Sequence, residues 1–410
     1  MSSLTLTLTA MANGGAALGR DESNRVVFVP FAIPGERVRV TVVEDRPRFA
    51  RAQLEEVLAP SPERIEARCP HFGPCGGCHF QHIRYEAQLQ YKTEVLRDQL
   101  QRIGGFDDPP IEPLLPNTDP WSYSNVVTYN VTQEGRLGFW SPREGQVIPI
   151  ETCHIIRPEL LALYQDVDLE LPGLRQLALR VGADGELLAA LMVEGDEPPA
   201  LESDFPLSVV LLLPDGSAVN LIGDNYVVQT IAEWEFRVSA GCFFYPDAEA
   251  SAVLMAHLVK WAGLSGRETV LELYSGVGAA TAFLAEEAAE VVAVEVSGDA
   301  VADAAYNLAA FDNVSLYEGA VEEVLPLLDL APELIVMDPP DDGLSPAVMD
   351  DVQRLAARRV IYISSDVATL ARDGRRLAAG GYQPLAIQPL DMYPQTYRLL
   401  TVSVWQRADQ

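Results

Sequence analysis

The pattern that most restricts the fold begins near residue 250, where apolar runs of strand length alternate with helical runs. The segment ETVLELYSGVGAATAFLAEE contains an apolar strand, a glycine turn at Gly276 and Gly278, and then a helix. A second strand and helix follow in AEVVAVEVSGDAVADAAYNLAAF, and that strand ends at Glu295. Strands that alternate with helices are typical of a parallel sheet covered on both faces. Residues 241–410 are therefore predicted to form a doubly wound, Rossmann-like α/β domain.

The glycine turn and the acid that follows it form a candidate nucleotide site. An acid about twenty residues after such a turn is placed to bind the two ribose hydroxyls of an adenosine cofactor. The turn reads GVG and lacks the GxGxxG fingerprint of dinucleotide sites. S-adenosylmethionine has no pyrophosphate, so it fits the shorter turn better, and the later strand LIVMDPP supports it. The alternative is an α/β domain that binds no nucleotide.

The charge distribution limits where a nucleic acid could bind. The 410-residue chain has a net charge of -30, and an acidic surface repels phosphates. Residues 1–65 are neutral, however, with eight Arg and eight Asp or Glu. RNA binding is therefore expected near the N-terminus, and DNA binding is not expected. No apolar run approaches the roughly eighteen residues of a membrane span and no signal peptide is recognisable, so we expect a cytoplasmic protein without a membrane partner.

The first 59 residues alternate apolar and polar positions in the short runs LTLTLTA, RVVFVPFAI, RVRVTVVE and AQLEEVL. Gly-Gly, Pro-Gly and Arg-Pro pairs separate these runs. The pattern predicts an OB-like barrel of antiparallel strands at residues 1–59, a fold that RNA-binding modules use. Its densest basic cluster, Arg46, Arg48 and Arg51, is the candidate RNA-binding site. A small β domain without a ligand is the alternative.

Four of the five cysteines have a spacing typical of a metal centre. Cys69, Cys75 and Cys78 lie in CPHFGPCGGCHFQH, and Cys153 follows in ETCHII. A structural zinc site and an iron-sulfur cluster both satisfy this pattern, and the neighbouring glycines, which let amides approach the sulfurs, favour the cluster. Cys242 has no basic residue within three positions to lower its thiol pKa, so it is expected to be a small buried hydrophobe.

The middle of the chain combines a helix with a second β-rich region. The sequence predicts a helix over residues 85–102, and from about residue 120 short alternating runs such as VVTYNVTQEGRLGFW are separated by Gly and Pro. Residues 60–240 are therefore predicted to contain the cysteine loop and a central β-rich domain. The expected fold class is α/β with β domains, and the domain limits are residues 1–59, 60–240 and 241–410.

Taken in order, these motifs resemble the RNA uracil-C5 methyltransferase family. The resemblance rests on FVPFAIPGERVRV, CPHFGPCGGCHFQH with CHI downstream, LELYSGVG, VVAVEVSGDAV, IVMDPP and ATLARD, and it covers nearly the whole chain. It implies a TRAM-type barrel, a 4Fe-4S cluster on the four cysteines, S-adenosyl-L-methionine as cofactor and structured RNA, rRNA or tRNA, as partner. The implied cofactor-binding residues are Tyr245, Tyr274, Gly276, Gly278, Glu295 and Asp338.

Two substitutions fall where the chemistry of that family takes place. Its members add a cysteine thiolate to C6 of uracil, which activates C5, and a base later removes the C5 proton. SSDVATLARD places Ser365 at the nucleophile position, and DMYPQTYRLL places Leu400 where the family has its basic glutamate. A serine hydroxyl is almost wholly protonated at neutral pH, and Asp366 beside it is a poor base. Uracil-C5 methylation is therefore not expected.

Further substitutions fall on the expected cofactor, base and phosphate contacts. They are Tyr245 and Asp247 in FFYPD, Ala320 in GAVEE, Asp341 in DPPD, and SNV at residues 124–126 in place of a basic run. One hypothesis is an RNA methyltransferase that acts on another atom through Asp338, because MDPP resembles the turn of amino-methylating enzymes. The other is a catalytically inactive protein that binds RNA or a protein partner.

Overall fold

The computed structural model describes residues 3–167, 171, 173–195, 206–214 and 217–408. Along the chain it contains a closed barrel, a mixed sheet with a separate hairpin, and a mostly parallel sheet. The predicted combination of an OB-like barrel, a β-rich centre and a doubly wound α/β region is confirmed. Within the described ranges, no helix combines the length and apolar character that crossing a membrane requires.

The N-terminal barrel closes in the spatial order β1-β2-β3-β5-β4. Successive side chains of a strand face opposite sides, so the alternation in RVRVTVVED places Val38, Val40 and Val42 inside the barrel and Arg39 outside. The strands are β1 Ser3–Met11, β2 Ala16–Arg20, β3 Val26–Pro30, β4 Arg37–Asp45 and β5 Phe49–Ala59.

The helix that follows the cysteine loop connects the barrel to the C-terminal sheet. α1 runs over Tyr85–Gln99, and a π-helical turn extends it over Leu100–Gly104, so the two together cover the predicted helix. Gly105, with a φ of 77°, ends this segment in the left-handed conformation that favours glycine. The buried face of α1 belongs to one hydrophobic core together with the barrel interior and one side of the C-terminal sheet.

The central region is a seven-stranded sheet in the order β12-β11-β10-β9-β6-β7-β8, followed by a hairpin. Leu177 and Leu179 of β9 face its hydrophobic core, which α2 completes. The elements are β6 Val126–Val131, β7 Leu137–Ser141, β8 Gln146–Pro149, α2 Pro158–Asp166, β9 Leu174–Val181, β10 Leu187–Val193, β11 Leu207–Leu212, β12 Ala218–Ile222, β13 Tyr226–Ile231 and β14 Trp234–Ser239.

The C-terminal sheet has the order β17-β16-β15-β18-β19-β21-β20, and β21 runs antiparallel to both of its neighbours, β19 and β20. Its strands are apolar because helices cover both faces. The elements are α3 Ala248–Ala262, β15 Thr269–Leu273, α4 Ala279–Ala285, β16 Glu290–Glu295, α5 Gly298–Asn307, β17 Val314–Glu318, α6 Val321–Val324, β18 Leu334–Met337, α7 Pro346–Leu355, β19 Arg359–Ser364, α8 Val367–Ala379, β20 Tyr382–Leu390 and β21 Leu400–Arg407.

The strand order of this sheet reverses between β15 and β18. In open α/β sheets, ligands bind at the carboxyl ends of the strands beside such a reversal. The glycine turn with Gly276 follows β15, Glu295 ends β16, Asp338 follows β18 and Ser365 follows β19. The fold therefore brings the separately predicted site residues to one edge of the sheet.

Candidate active site

A cavity of about 490 Å³ lies at this edge. Its lining includes Tyr245, Tyr274, Gly276, Glu295, Asp338, Ser365 and Leu400, all of which the sequence had singled out. Gly278 does not line the cavity. It precedes α4 with a φ of 83°, and a Cβ atom there would lie 2.8 Å from Leu308 Cδ1, so glycine is needed for the turn and for packing.

Glu295 is fixed by the backbone around it. Its carboxylate accepts hydrogen bonds from the amide of Gly276 at 2.9 Å and from those of Val296 and Ser297 at 2.8 Å each. These bonds join the end of β16 to the turn after β15. A carboxylate has about four acceptor positions, so one is still available to a ribose hydroxyl in the cavity.

Two more carboxyl groups make the cavity acidic. Glu272 is buried on β15, and burial raises its pKa to about 8, although Thr281 Oγ1 donates a hydrogen bond to it at 2.7 Å. Burial also raises the pKa of Asp338 to about 7. A cation placed among these groups would favour their ionised forms. The cavity therefore suits a ligand that carries positive charge.

Tyr245 and Asp247 of FFYPD have different surroundings. Tyr245 is buried, and its hydroxyl donates a hydrogen bond to Asp338 inside the cavity. Asp247 lies outside the cavity lining and caps α3, where it accepts from the amide of Ala250 at 3.1 Å and from Asn117 Nδ2 at 2.7 Å. The first residue of this pair therefore shapes the cavity, and the second stabilises a helix end.

Ser365 belongs to a small polar network at the mouth of the cavity. Its hydroxyl donates to Asp341, whose other oxygen lies 2.9 Å from Arg398 Nη1. Partial burial raises the pKa of Asp341, but the hydrogen bonds from Ser365 and Arg398 outweigh this, and the net pKa is lowered. Asp366, the acid next to Ser365 in sequence, instead caps α8 through a 2.7 Å bond from the amide of Thr369.

Sequence reasoning missed Arg398 as a partner of this network. The signal that could have indicated it is the pairing of an unexpected acid, Asp341, with an arginine in the neighbouring motif DMYPQTYRLL. Leu400 follows at the start of β21 opposite Leu390, is only 2 % exposed and presents an apolar side chain to the cavity. The position therefore offers no group that could accept a proton.

The four predicted cysteine ligands line one cavity of about 240 Å³ between the cysteine loop and the central sheet. The amide of Gly77 lies 3.4 Å from Cys75 Sγ, which is the amide-to-sulfur approach that the glycines predict. Gly76 has no space for a side chain, because a Cβ atom would lie 2.3 Å from the carbonyl oxygen of Trp140. Glycine is thus required for the loop to pack against β7.

The groups that four thiols can bind differ in the spacing they need. Across the described residues, no three His, Cys, Asp or Glu side chains converge closely enough to hold one metal ion. Four sulfurs around a tetrahedral zinc would lie about 3.8 Å apart. A cluster whose ligands bind different iron atoms accepts a wider set. Burial raises the pKa of Cys75 to about 11, so a thiolate here needs a bound cation.

The segment over residues 391–398 connects the two cavities. Asp391 forms a buried ion pair with Lys92 of α1 and accepts a 2.9 Å hydrogen bond from the Tyr85 hydroxyl. The carbonyl oxygen of Gln395 accepts from the amides of His79 and Phe80, both at 2.9 Å, directly after the cysteine motif. The cysteine loop and α1 therefore hold the segment that carries Arg398 into the candidate active site.

The barrel arginines and Cys242 lie elsewhere. Arg46 and Arg51 are exposed and share Glu44, at 2.9 and 3.2 Å, while Arg48 is exposed on the same hairpin. Such surface pairs are weak, so these cations are accessible to phosphates. Cys242 is 4 % exposed and lines a different cavity, and burial raises its pKa to about 12, as expected for an inert buried thiol.

Comparisons with known proteins agree with this architecture. Residues 2–54 match the TRAM domain, and residues 219–381 match the tRNA (Uracil-5-)-methyltransferase family. An uncharacterized RNA methyltransferase of Halalkalibacterium halodurans is 32% identical, with 97% of this chain and 96% of that protein covered. Another from Bacillus cereus is 33% identical, with 90% of each chain covered.

A solved structure has the same fold over nearly the whole chain. It is the tRNA (uracil-54, C5)-methyltransferase of Pyrococcus abyssi in complex with S-adenosyl-L-homocysteine. The match has a TM-score of 0.76 at 20% identity and covers 98% of this chain and 100% of that one. With its TRAM barrel, its methyltransferase sheet and its full-length relatives, the chain belongs to the RNA uracil-C5 methyltransferase family.

Proposed function

We propose that this protein binds S-adenosylmethionine and structured RNA, rRNA or tRNA, but does not methylate uracil at C5. The observation that carries the proposal is the network of Ser365, Asp341 and Arg398 at the position where the resemblance expects a nucleophile. A hydroxyl that already donates to an ion-paired carboxylate is not a thiolate, and Asp341, with its lowered pKa, is a poor base. Leu400 leaves no base for the C5 proton.

Support for the cofactor comes from the cavity. S-adenosylmethionine carries a positive sulfonium and an ammonium group. Besides Asp341, which is paired with Arg398, the carboxyl groups of Glu272, Glu295 and Asp338 line the same space. Glu295 retains an acceptor for the ribose at the end of β16. The related Pyrococcus abyssi enzyme holds S-adenosyl-L-homocysteine, the demethylated product of this cofactor.

The same proposal assigns a 4Fe-4S cluster to the cysteine cavity, with Cys69, Cys75, Cys78 and Cys153 as ligands. Their common cavity and the approach of the Gly77 amide to Cys75 Sγ support it. A cluster would stabilise the thiolates by its positive charge. It would also fix the loop whose amides at His79 and Phe80 hold the segment 391–398, which gives it a structural task near the candidate active site.

RNA binding is assigned to the barrel and the surface beside it, in a cytoplasmic protein. The exposed cations Arg46, Arg48 and Arg51 lie in the neutral part of an acidic chain. The turn between β1 and β2 packs against the segment that carries Arg398 into the candidate active site, since a Cβ atom at Gly15 would lie 3.1 Å from Tyr397 Cβ. An RNA held by the barrel would therefore lie close to the cavity.

Methylation of another atom is the competing assignment. Tyr245 already donates a hydrogen bond to Asp338, and an acid, Asp341, follows the Pro-Pro turn where amino-methylating enzymes have an aromatic residue for base stacking. Both features disfavour capture of an exocyclic amine. A catalytically inactive member of the family is therefore the better fit to the cavity.

The deciding experiment incubates the full-length protein with labelled S-adenosylmethionine and a mixed RNA pool, then digests the RNA and separates the nucleosides. We expect calorimetry to detect cofactor binding and the digest to contain no labelled 5-methyluridine. Labelled 5-methyluridine above a no-protein control would refute the proposal. Label on another nucleoside would support the competing assignment, and a protein that binds neither cofactor nor RNA would refute both.

A further inference from the structure

A second cavity, of about 250 Å³, lies beside the candidate active site on the face of the central sheet opposite its main hydrophobic core. Small and apolar side chains line it, and Arg180 is its one charged lining residue. Phe243 lines both this cavity and the candidate active site. The two cavities are therefore neighbours that share a wall, and a ligand longer than one nucleotide could occupy both.

Arg180 is a buried cation without an anionic partner in the cavity. It is 8% exposed, and its Nη2 atom donates to the carbonyl oxygen of Cys242 at 2.7 Å. Among the described residues it forms no ion pair, and the acid that acts on it electrostatically, Asp303, is paired with Arg237 at 2.9 Å. A buried charge is unfavourable until it is paired. An anion in the cavity would supply that pairing.

Beside buried Arg180, the same sheet face on β6 and β9 carries small or polar side chains that are partly or fully exposed. Cross-strand neighbours on β6 and β9 are Val126 with Arg180, Thr128 with Ala178, and Asn130 with Gln176. Alternation along a strand puts these six on one face, whereas the residues between them face the hydrophobic core. Partly or fully exposed side chains therefore continue from Arg180 along the two strands.

Phe243 supplies an aromatic surface at the boundary of the two cavities. It is 64% exposed, although it also contacts the Tyr245 ring edge-on at a centroid distance of 5.4 Å. An exposed aromatic ring beside a buried cation is the combination that single-stranded nucleic acids bind, by stacking a base on the ring and a phosphate on the cation.

We propose that this second cavity binds one nucleotide of a single-stranded RNA segment that flanks the base in the candidate active site. The phosphodiester accepts hydrogen bonds from Arg180, and the base stacks on Phe243. The inference rests on the RNA binding proposed above and adds a subsite to it. It also places RNA contacts in the central sheet, in addition to those of the barrel arginines.

Fluorescence anisotropy with a short, fluorescein-labelled single-stranded RNA of mixed sequence tests the subsite. The full-length protein is compared with Phe243→Ala, Arg180→Met and the control Arg175→Met, which changes an exposed arginine of the same strand. We expect Phe243→Ala to weaken binding about tenfold. Arg180→Met should weaken it by a similar factor and lower the slope of log affinity against log salt by about one. Arg175→Met should change neither quantity.

The outcomes separate the subsite from the proposed function. If the wild-type protein binds this RNA and Phe243→Ala and Arg180→Met bind it equally well, the subsite is refuted while RNA binding stands. If the wild-type protein binds no RNA, the proposed function itself fails. If Arg180→Met does not fold, the RNA affinity of Phe243→Ala decides whether the subsite exists. The Phe243 side chain is exposed and contributes little to the core, so this variant should fold. Arg180→Lys should keep the salt slope.

Discussion

The cysteine cavity and the candidate active site differ in which parts of their expected chemistry are present. In the cysteine cavity all four thiols are present, and even Gly76 is required by the close approach of Trp140. In the active-site cavity the strands, the glycine turn and Glu295 are present, but Ser365 and Leu400 occupy the reactive positions. Backbone packing holds the first set of features, whereas side chains at strand ends can change without altering the fold.

Two cations also lie on elements other than those that the resemblance implies. Asp341 stands where the resemblance implies an arginine, and Arg398 pairs with it from the neighbouring motif. Val126 stands where a basic run is implied, and Arg180 lies directly opposite it on β9. In both places a cation is present near the expected position but on a different element. The two cations differ in availability, because Asp341 neutralises Arg398 whereas Arg180 forms no ion pair among the described residues.

The largest effect is expected for the iron and sulfide content, when a ligand of the cysteine cavity is removed. Cys78→Ser should lower the iron and sulfide of protein isolated without oxygen from about four irons per chain to a small remainder, because one ligand is lost. Cys242→Ala, which removes the thiol outside that cavity, should leave the iron content unchanged. Stoichiometric zinc without broad visible absorption in the wild-type protein would overturn the assignment.

A smaller effect is expected on the pH dependence of the free energy of unfolding, through the buried carboxyl group of Glu272. Burial raises the pKa of Glu272 from 4.5 to about 8, so its protonated form stabilises the folded state. This stabilisation is complete below pH 4.5 and is lost as the pH rises to about 8, at a cost of a few kcal/mol. In denaturant titrations of ligand-free protein, Glu272→Gln should reduce that decline and leave the part that buried Asp338, with its pKa raised to about 7, contributes. Exposed Glu290→Gln serves as the control, and equal declines in both variants would contradict the burial of Glu272.

A modest effect is expected at the barrel, which would deliver RNA to either cavity. Arg48→Gln should weaken RNA binding a few-fold at moderate salt and reduce the salt slope by about one, since one phosphate contact is lost. Anisotropy at several salt concentrations measures both quantities. Arg39→Gln is the matched control, because Arg39 is an exposed barrel arginine outside the cluster and pairs with Glu56. Equal losses in both variants would argue against a localised site.

For 5-methyluridine formation by the single variant Ser365→Cys, we expect no effect. Ser365→Cys alone should yield no 5-methyluridine, because the Asp341 carboxylate beside it disfavours a thiolate and Leu400 supplies no base. The triple change Ser365→Cys, Asp341→Asn and Leu400→Glu is the smallest set that we expect to restore any turnover. Nucleoside analysis after incubation with labelled cofactor measures both. 5-Methyluridine formation by Ser365→Cys would show that the active-site cavity can support catalysis with Asp341 and Leu400 in place.

The sequence predicted the site residues that follow from strand ends and local motifs. Parallel strands end at one edge, so Gly276, Glu295 and Asp338 had to lie near each other once the strands were recognised. The network around Ser365 was not predicted, because Asp341 and Arg398 are 24 and 57 residues from their partners in it. Asp366 was judged by its sequence position beside Ser365, whereas the start of α8 uses it as a cap.

The ion pair between Lys92 and Asp391 also has a consequence for the order in which the protein can fold during synthesis. The two side chains are 299 positions apart, and both are almost fully buried in the finished protein. While the ribosome is still adding residues, Lys92 has no carboxylate to bury against and must stay hydrated. The face of α1 that carries it can therefore dock only after nearly the whole chain has emerged. Until then the cysteine loop lacks the support of residues 391–398, so its final geometry is completed at the end of translation.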